Sequence, residues 1–301
     1  MKNISAVLIT KNAESTINLT LKSLEEFPEV IVLDTGSSDK TFEICGRFEN
    51  VKLFSAGFYG FGKAKNLAAS LAKNDWIFSI DADEVVSKAL LESIKGKLLK
   101  KDEIYSLRRR NYYRNKRINY SGWGKEFIVR LYNRKHTSFN EKLVHESIKF
   151  EDCKMEKLKG NLLHYSYLSI SDFAMKRDLY SELFAIEYKG KRKSSPFIAF
   201  IKSTFNLFNT YITRLAFLDG YRGLLIAISN AHVTFIKYLK LYEANMGYDM
   251  LNRSGLLKED VKVIAHDNLD HAEIISELRD SNISKTNVHV EIVKNNLTIL
   301  N

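Results

Sequence analysis

The stretch Ile77-Phe78-Ser79-Ile80-Asp81-Ala82-Asp83-Glu84 decides how the rest of this chain is read. An apolar run led by Trp76 stops abruptly in three carboxylates, the pattern of a short buried strand in a parallel sheet. Open α/β sheets place their ligands at the carboxyl ends of such strands. Asp81 and Asp83 stand two apart, so a turn there lets both face a crevice. Paired carboxylate oxygens suit a hard divalent cation such as Mg²⁺ or Mn²⁺ that also holds a substrate diphosphate. The competing reading is that Asp-x-Asp-Glu only caps a helix beginning near Ser87, since helix N-termini attract acids.

The residues before this stretch repeat its logic. Ser5 to Ile9 reads as a strand ending in Thr10-Lys11-Asn12, and Ala13, Ile17, Leu21 and Leu24 follow at helical spacing. Val30 to Leu33 is a second strand, running into Asp34-Thr35-Gly36-Ser37-Ser38-Asp39, where Ser38 or Asp39 can cap the next helix. Val51 to Phe54 is a third. Strand and helix thus alternate through Ile80, which predicts a doubly wound α/β sheet, and the polar loops after successive strands predict a nucleotide pocket. That agreement favours a ligand-binding role for Asp81 and Asp83 over the capping one.

Gly57-Phe58-Tyr59-Gly60-Phe61-Gly62 matches neither the dinucleotide fingerprint nor a phosphate loop with Gly-Lys-Ser/Thr. It reads either as a flexible turn or as a device that sets Lys63 or Lys65 beside a diphosphate. Farther on, eleven Lys/Arg stand between Arg108 and Lys142 against Glu126 and Glu141, interleaved with Tyr112, Tyr113, Tyr120, Trp123 and Tyr132. Such a block suits single-stranded nucleic acid, a phosphorylated sugar acceptor, or plain solvation. No nucleic-acid motif accompanies it, so nucleic acid is not the expected partner. His145-Glu146 lacks the second histidine of a His-Glu-x-x-His zinc site. His164 reads as a supporting partner in a site or as a packed core residue.

From Ser169 the pattern is helical. Ser171-Asp172 can cap one helix, Ser194-Ser195-Pro196 opens another through Phe208, and Leu224 to Leu241 forms a third. Bulky apolar residues with flanking Lys/Arg fit either a membrane interface or packing against a sheet. The tail beyond Asn252 is mixed and polar, with a possible strand at 288–293. Three regions are expected: 1–168, a helical 169–250, and an extension 251–301. A net charge of +10 predicts anionic partners. Cys45 and Cys153 are far apart and lack metal-ligand spacing, which predicts a reducing compartment. With no signal-peptide pattern and no run of about 18 uncharged apolar residues, a cytoplasmic protein is expected.

Taken together, Ile9-Thr10-Lys11-Asn12, Asp34-Thr35-Gly36-Ser37-Ser38-Asp39, Gly62-x-x-Lys65-Asn66 and Asp81-Ala82-Asp83-Glu84 resemble an inverting family 2 glycosyltransferase of the GT-A fold. Gly122-Trp123, Arg130-Leu131-Tyr132, Leu143-Val144-His145-Glu146, Leu163-His164-Tyr165 and Phe217-Leu218-Asp219-Gly220-x-x-Gly223 are similar to one branch, the bacterial lipopolysaccharide and lipooligosaccharide core β-1,4-glucosyltransferases. The resemblance spans about Met1 to Glu243.

It implies a UDP-sugar donor held by Thr10, Asn12, Asp34, Lys65, Asp81 and Asp83. Asp34 falls at the position that meets the uridine, Asp81 at the one that meets ribose or metal, and Asp83 at a Mg²⁺ or Mn²⁺ ligand. The branch usually shows Trp-Tyr-Pro-Asp where this chain has Trp123-Gly124-Lys125-Glu126, so Glu126 is the first expectation for the general base and Glu146 the alternative. Trp123, Arg130 and His145 fall on the acceptor side. The implied acceptor is a core glycolipid, which places the enzyme peripherally on the inner leaflet of the membrane.

Overall fold

Side chains along Ile4–Thr10 (β1) alternate between two cores, because successive strand residues point to opposite faces. Ile4, Ala6 and Leu8 join one apolar cluster and Val7 the other. Val30–Asp34 (β2) divides the same way, with Val30 and Val32 on one face and Ile31 and Leu33 on the other. A sheet buried on both faces needs helices on both. Ile17–Lys22 (α1), Thr41–Cys45 (α2) and Lys88–Lys95 (α4) cover the first face; Phe61–Ser70 (α3) covers the second with Ala64, Leu67 and Ala68. The computed structural model describes residues 1–58, 60–124, 126–141, 146–150, 153–247, 261–266 and 288–293.

The chain forms two compact units: Met1–Leu107 with Ile128–Leu162 and Leu256–Asn301, and Arg108–Phe127 with Leu163–Gly255. The sequence reading instead draws its first boundary at residue 168. The remaining strands are Val51–Ala56 (β3), Trp76–Ser79 (β4), Glu84–Val86 (β5), Glu103–Tyr113 (β6), Lys116–Arg117 (β7), Glu126–Asn133 (β8), Lys154–Tyr167 (β9), Val261–His266 (β10) and Val288–Val293 (β11). The sheet order is β11-β10-β3-β2-β1-β4-β8-β6-β9-β5. Parallel pairing joins β3, β2, β1 and β4, and antiparallel pairing adds β8 at one flank and β10 at the other. The carboxyl ends of β1, β2 and β4 therefore share one edge. This is the α/β arrangement with helices on both faces that the sequence predicts, in a mixed sheet followed by helices.

Several local expectations change. Ser87, not the acids, caps α4: its hydroxyl accepts from Leu90 N at 3.3 Å. Glu84 has left the loop to begin β5 and is fully buried. The helix expected over Ala13–Leu24 is regular only over α1, although Ile17, Leu21 and Leu24 are buried as its spacing predicts. Ser169, rather than Ser171, caps Ile170–Tyr188 (α5) in a capping box with Asp172. Strands β9 and β10 were not anticipated.

The second unit is built on aromatic stacking. Tyr167 and Phe173 lie 3.8 Å apart, and Trp123 stacks on both at 5.8 and 6.2 Å. Asp219 accepts from the backbone of Asn119 (3.1 Å) and Tyr120 (2.9 Å), which ties the loop after β7 to a 3₁₀ turn at Ala216–Asp219. Gly124 approaches so closely that a Cβ there would meet Asn119 O at 1.6 Å. Pro196–Phe208 (α6) starts with Ser195 as its cap and Pro in the first turn, as expected, and Tyr221–Asn245 (α7) packs on both α5 and α6. Among the described residues α7 is long and apolar enough to cross a membrane by length and composition, with 33% of its apolar window buried. The expectation that no segment would qualify holds only for uncharged runs.

Candidate active site

Thr10 and Asp34 are register partners at the ends of β1 and β2. Both are 4% exposed. Asp34 Oδ1 accepts from Gly36 N (2.9 Å) and Ser37 N (2.8 Å), which folds the loop back over the strand end. Its second oxygen, Oδ2, is buried with no hydrogen-bond partner among the described residues, and so is Thr10 Oγ1. Buried polar atoms are nearly always partnered, by protein, water or ligand, so this neighbouring pair is a candidate place for a ligand's polar edge. A carboxylate accepts only, and a hydroxyl can donate or accept.

Asn12 holds the two loops together. It sits at φ 52°, a left-handed conformation that asparagine tolerates, and its Oδ1 accepts from Ser38 N at 2.8 Å. Ser37 Oγ accepts from Asn12 N in return. Asp39 accepts from Thr41 N and Glu14 N. Burial pushes the Asp39 carboxyl up, but these hydrogen bonds outweigh it and hold it below its ordinary value.

The end of β4 carries a charge cluster. Lys65, one of the two lysines the glycine loop introduces, is 4% exposed and pairs with Asp81 (2.9 Å) and Glu146 (2.7 Å); Lys63 is exposed. Gly62 makes this possible, since a Cβ there would lie 1.9 Å from Asn140 O. Arg130, expected on the acceptor side, lies in this cluster instead. Its guanidinium donates to Asp81 (2.5 Å) and to both Glu84 oxygens (3.0 and 3.1 Å). Burial works against the Arg130 charge, yet Asp81 and Glu84 more than offset it and raise its pKa. Glu84 also accepts from Asp81 N at 2.9 Å, so both the backbone and the side chain of Asp81 are fixed. Asp83 is half-buried two residues on.

Among the described residues no group of three or more His, Cys, Asp or Glu gathers into a protein-only metal cage. The other arrangement, in which one or two carboxylates hold the ion and phosphate oxygens of the substrate complete its shell, leaves Asp81 and Asp83 as the candidate carboxylates. Asp81 Oδ1 pairs with Lys65 and Oδ2 with Arg130 in this structure.

Glu126 belongs to the second unit, where Arg109 holds it in a fork: Nε to Oε2 at 3.0 Å and Nη2 to Oε1 at 2.8 Å. Asn111 adds a bond to Oε2 at 3.1 Å. Burial pushes the Glu126 carboxyl up, but Arg109 and Asn111, with His164 behind them, prevail and hold it below its ordinary value. Because Asn111 donates to Trp123 O and to Glu126, its Oδ1 faces His164 Nδ1 at 2.7 Å, and that nitrogen carries the proton. Sequence reasoning singled out His164 but missed Arg109 and Asn111. Their signal was present: they stand two apart on one strand and so share a face. Trp123 is half-buried in the aromatic stack. His145 lies outside the described residues.

The basic block is not a continuous stripe. Arg109 and Arg130 are ion-paired, and Arg134 donates to the carbonyls of Ala69, Ser70 and Ala72.

Residues 5–158, which contain the strand-end loops and the acidic stretch, match the family Glycosyl transferase family 2. The chain belongs to that family. A glycosyltransferase of Rickettsia bellii is 30% identical over 275 residues, covering 85% of this chain and 92% of its own. The lipopolysaccharide core biosynthesis glycosyltransferase LpsC of Rhizobium meliloti is 28% identical over 257 residues, covering 80% and 92%. Among solved structures, residues 1–349 of S. aureus TarS superpose with a TM-score of 0.40 at 17% identity, covering 85% of this chain and 92% of that one. Family 2 membership and the sheet with its helices agree with the GT-A expectation. For a glycosyltransferase, the orphaned pair on β1 and β2 and the charge cluster after β4 lie on the sheet edge where α/β folds bind nucleotides.

Proposed function

We propose that this family 2 glycosyltransferase moves a hexose, glucose, from a UDP-sugar to a heptose of the lipopolysaccharide or lipooligosaccharide core, with inversion. The observation that carries the donor half is the buried orphan pair, Asp34 Oδ2 and Thr10 Oγ1. An acceptor oxygen beside a hydroxyl complements the imide edge of uracil, which offers one N–H between two carbonyls. Asp81 and Asp83 are the proposed ligands of Mg²⁺ or Mn²⁺, and Lys65 the proposed cation at the phosphates. A divalent ion bound there would supply charge neutralisation for the departing diphosphate. Asn12 acts by holding the loop at Asp34.

In the reaction the acceptor hydroxyl oxygen forms a bond to the anomeric carbon as the bond to the UDP oxygen breaks. Glu126 is the proposed base that takes the hydroxyl proton; the Arg109 fork keeps it ionised and oriented while making it a weaker base. Glu146 is the alternative, since it reaches Lys65 in the donor-side cluster. Trp123 and His145 remain the proposed acceptor contacts, whereas Arg130 is better read as a positioning residue for Asp81. Residues 1–168 are assigned to transfer and 169–250 to attachment at the inner leaflet of the membrane, where such a glycolipid is built. The branch-level sequence resemblance and the LpsC relative support the acceptor class.

A donor screen by UDP release, with truncated core lipopolysaccharide as acceptor and with and without EDTA, tests the proposal. UDP-glucose should give the fastest release, dependent on acceptor and on added Mg²⁺ or Mn²⁺. Release from a non-uridine donor alone would overturn it.

A further inference from the structure

Helix α6 is amphipathic in the reverse sense. Ala199 and Ser203 turn inward: Ala199 is buried, and Ser203 Oγ donates to Ala231 O on α7 at 2.9 Å. The large apolar side chains turn outward. Phe197, Phe200, Phe205 and Phe208 are 73, 59, 68 and 60% exposed, at the i, i+3, i+8, i+11 spacing of a single helical face. A surface helix of a water-soluble fold does the opposite. Four phenylalanines at this exposure present on the order of 500 Å² of apolar surface, a size that marks an interaction site.

The flank of this face is strongly cationic. The loop entering α6 carries Lys189, Lys191, Arg192 and Lys193, all exposed. Arg192 reaches the Tyr238 hydroxyl, while Lys202 and Lys237 lie over the Tyr238 ring at 5.6 and 5.7 Å. Burial lowers the Lys237 pKa, and repulsion from Arg192 and Lys202 lowers it further. Crowding like charges is unfavourable unless something anionic meets them. An apolar helical face bordered by lysine and arginine is what an anionic bilayer surface recognises, the rings entering the acyl boundary while the cations meet headgroup phosphates.

We propose that the outer face of α6, together with the basic loop at 189–193, docks the protein on an anionic phospholipid surface. This deepens the membrane-peripheral part of the function proposed above by naming the surface and the lipid class. Plain phospholipid without any sugar acceptor tests it, so failure here leaves the transfer reaction untouched.

The experiment is co-sedimentation of the full chain with phosphatidylglycerol-containing vesicles and with phosphatidylcholine vesicles. Binding to the anionic vesicles is expected to exceed binding to the neutral ones by about tenfold and to weaken with added salt. The pair Phe200→Ser with Phe205→Ser should reduce partitioning by at least about tenfold, with the melting temperature unchanged. Lys191→Glu with Arg192→Glu should abolish the preference for anionic lipid. Wild-type protein that stays in the supernatant, or a double phenylalanine variant that partitions like wild type, overturns the proposal. So does a stable dimer in sedimentation equilibrium that the phenylalanine variants dissociate, because a second copy would then be what covers the face.

Discussion

The sheet edge at β1, β2 and β4 and the outer face of α6 break the same rule in opposite directions. At the edge, Lys65, Arg130, Glu84 and Asp34 are polar and buried. On α6, four phenylalanines are apolar and exposed. Ordinary folding energetics favours neither, since buried charge costs desolvation and exposed apolar surface forgoes transfer energy. Lys65, Arg130 and Glu84 meet that cost within the fold by pairing with one another and with Asp81 and Glu146. Asp34 Oδ2 and the α6 rings, by contrast, have no partner among the described residues. The proposed partners are a sugar nucleotide for the first and a lipid surface for the second. The contrast also separates chemistry from address. Substitutions that break the ion pairs at the edge should damage fold and transfer together, and substitutions on α6 should leave both intact.

The contrast breaks most visibly at Glu126. Glu126→Gln should lower the transfer rate by about 10²–10⁴-fold, the range of a lost general base, while UDP binding persists. Near-normal transfer would hand the role to Glu146, to be checked with Glu146→Gln. Next in size is Arg130→Met, which leaves the fully buried Glu84 without its cation. A loss of about 3–5 kcal/mol in urea denaturation is expected. A loss below about 1 kcal/mol would mean that the buried charges at the edge are not interdependent. The smallest effect belongs to α6. Phe200→Ser with Phe205→Ser should change unfolding stability by no more than about 0.5 kcal/mol, as exposed substitutions do, and a larger loss would place those rings in the fold's own packing.

The same contrast governs what the sequence revealed. Strands β1 to β4 were legible because apolar runs end sharply in polar loops, and the alternation with helices leaves few other folds. Asp34 and Asp81 were legible as members of those loops, and Lys65 as one of two lysines just past the glycine-rich turn. Arg130 was not, because nothing local shows that a strand 49 residues beyond Asp81 turns its guanidinium back to that carboxylate. The Lys65–Glu146 pair joins residues 81 apart and is equally silent in sequence. Strand β9 was missed because lysines and glutamate separate its apolar residues, and Leu158 and Leu162 are buried four apart, a spacing that fits a strand or a helix alike. On α6 the phenylalanines were visible, but only the structure shows that small and polar residues hold the inner face.

The central claim is that the orphaned pair at the ends of β1 and β2 holds a uracil. Calorimetric titration of UDP, with Mn²⁺ present, into wild type and Asp34→Asn tests it most directly. The substitution keeps an oxygen for Gly36 N and Ser37 N but replaces the orphaned acceptor with a donor. Wild type should bind UDP, and Asp34→Asn should bind at least about tenfold more weakly with an unchanged melting temperature. Equal affinity in the two proteins, or no UDP binding by wild type, would contradict the account.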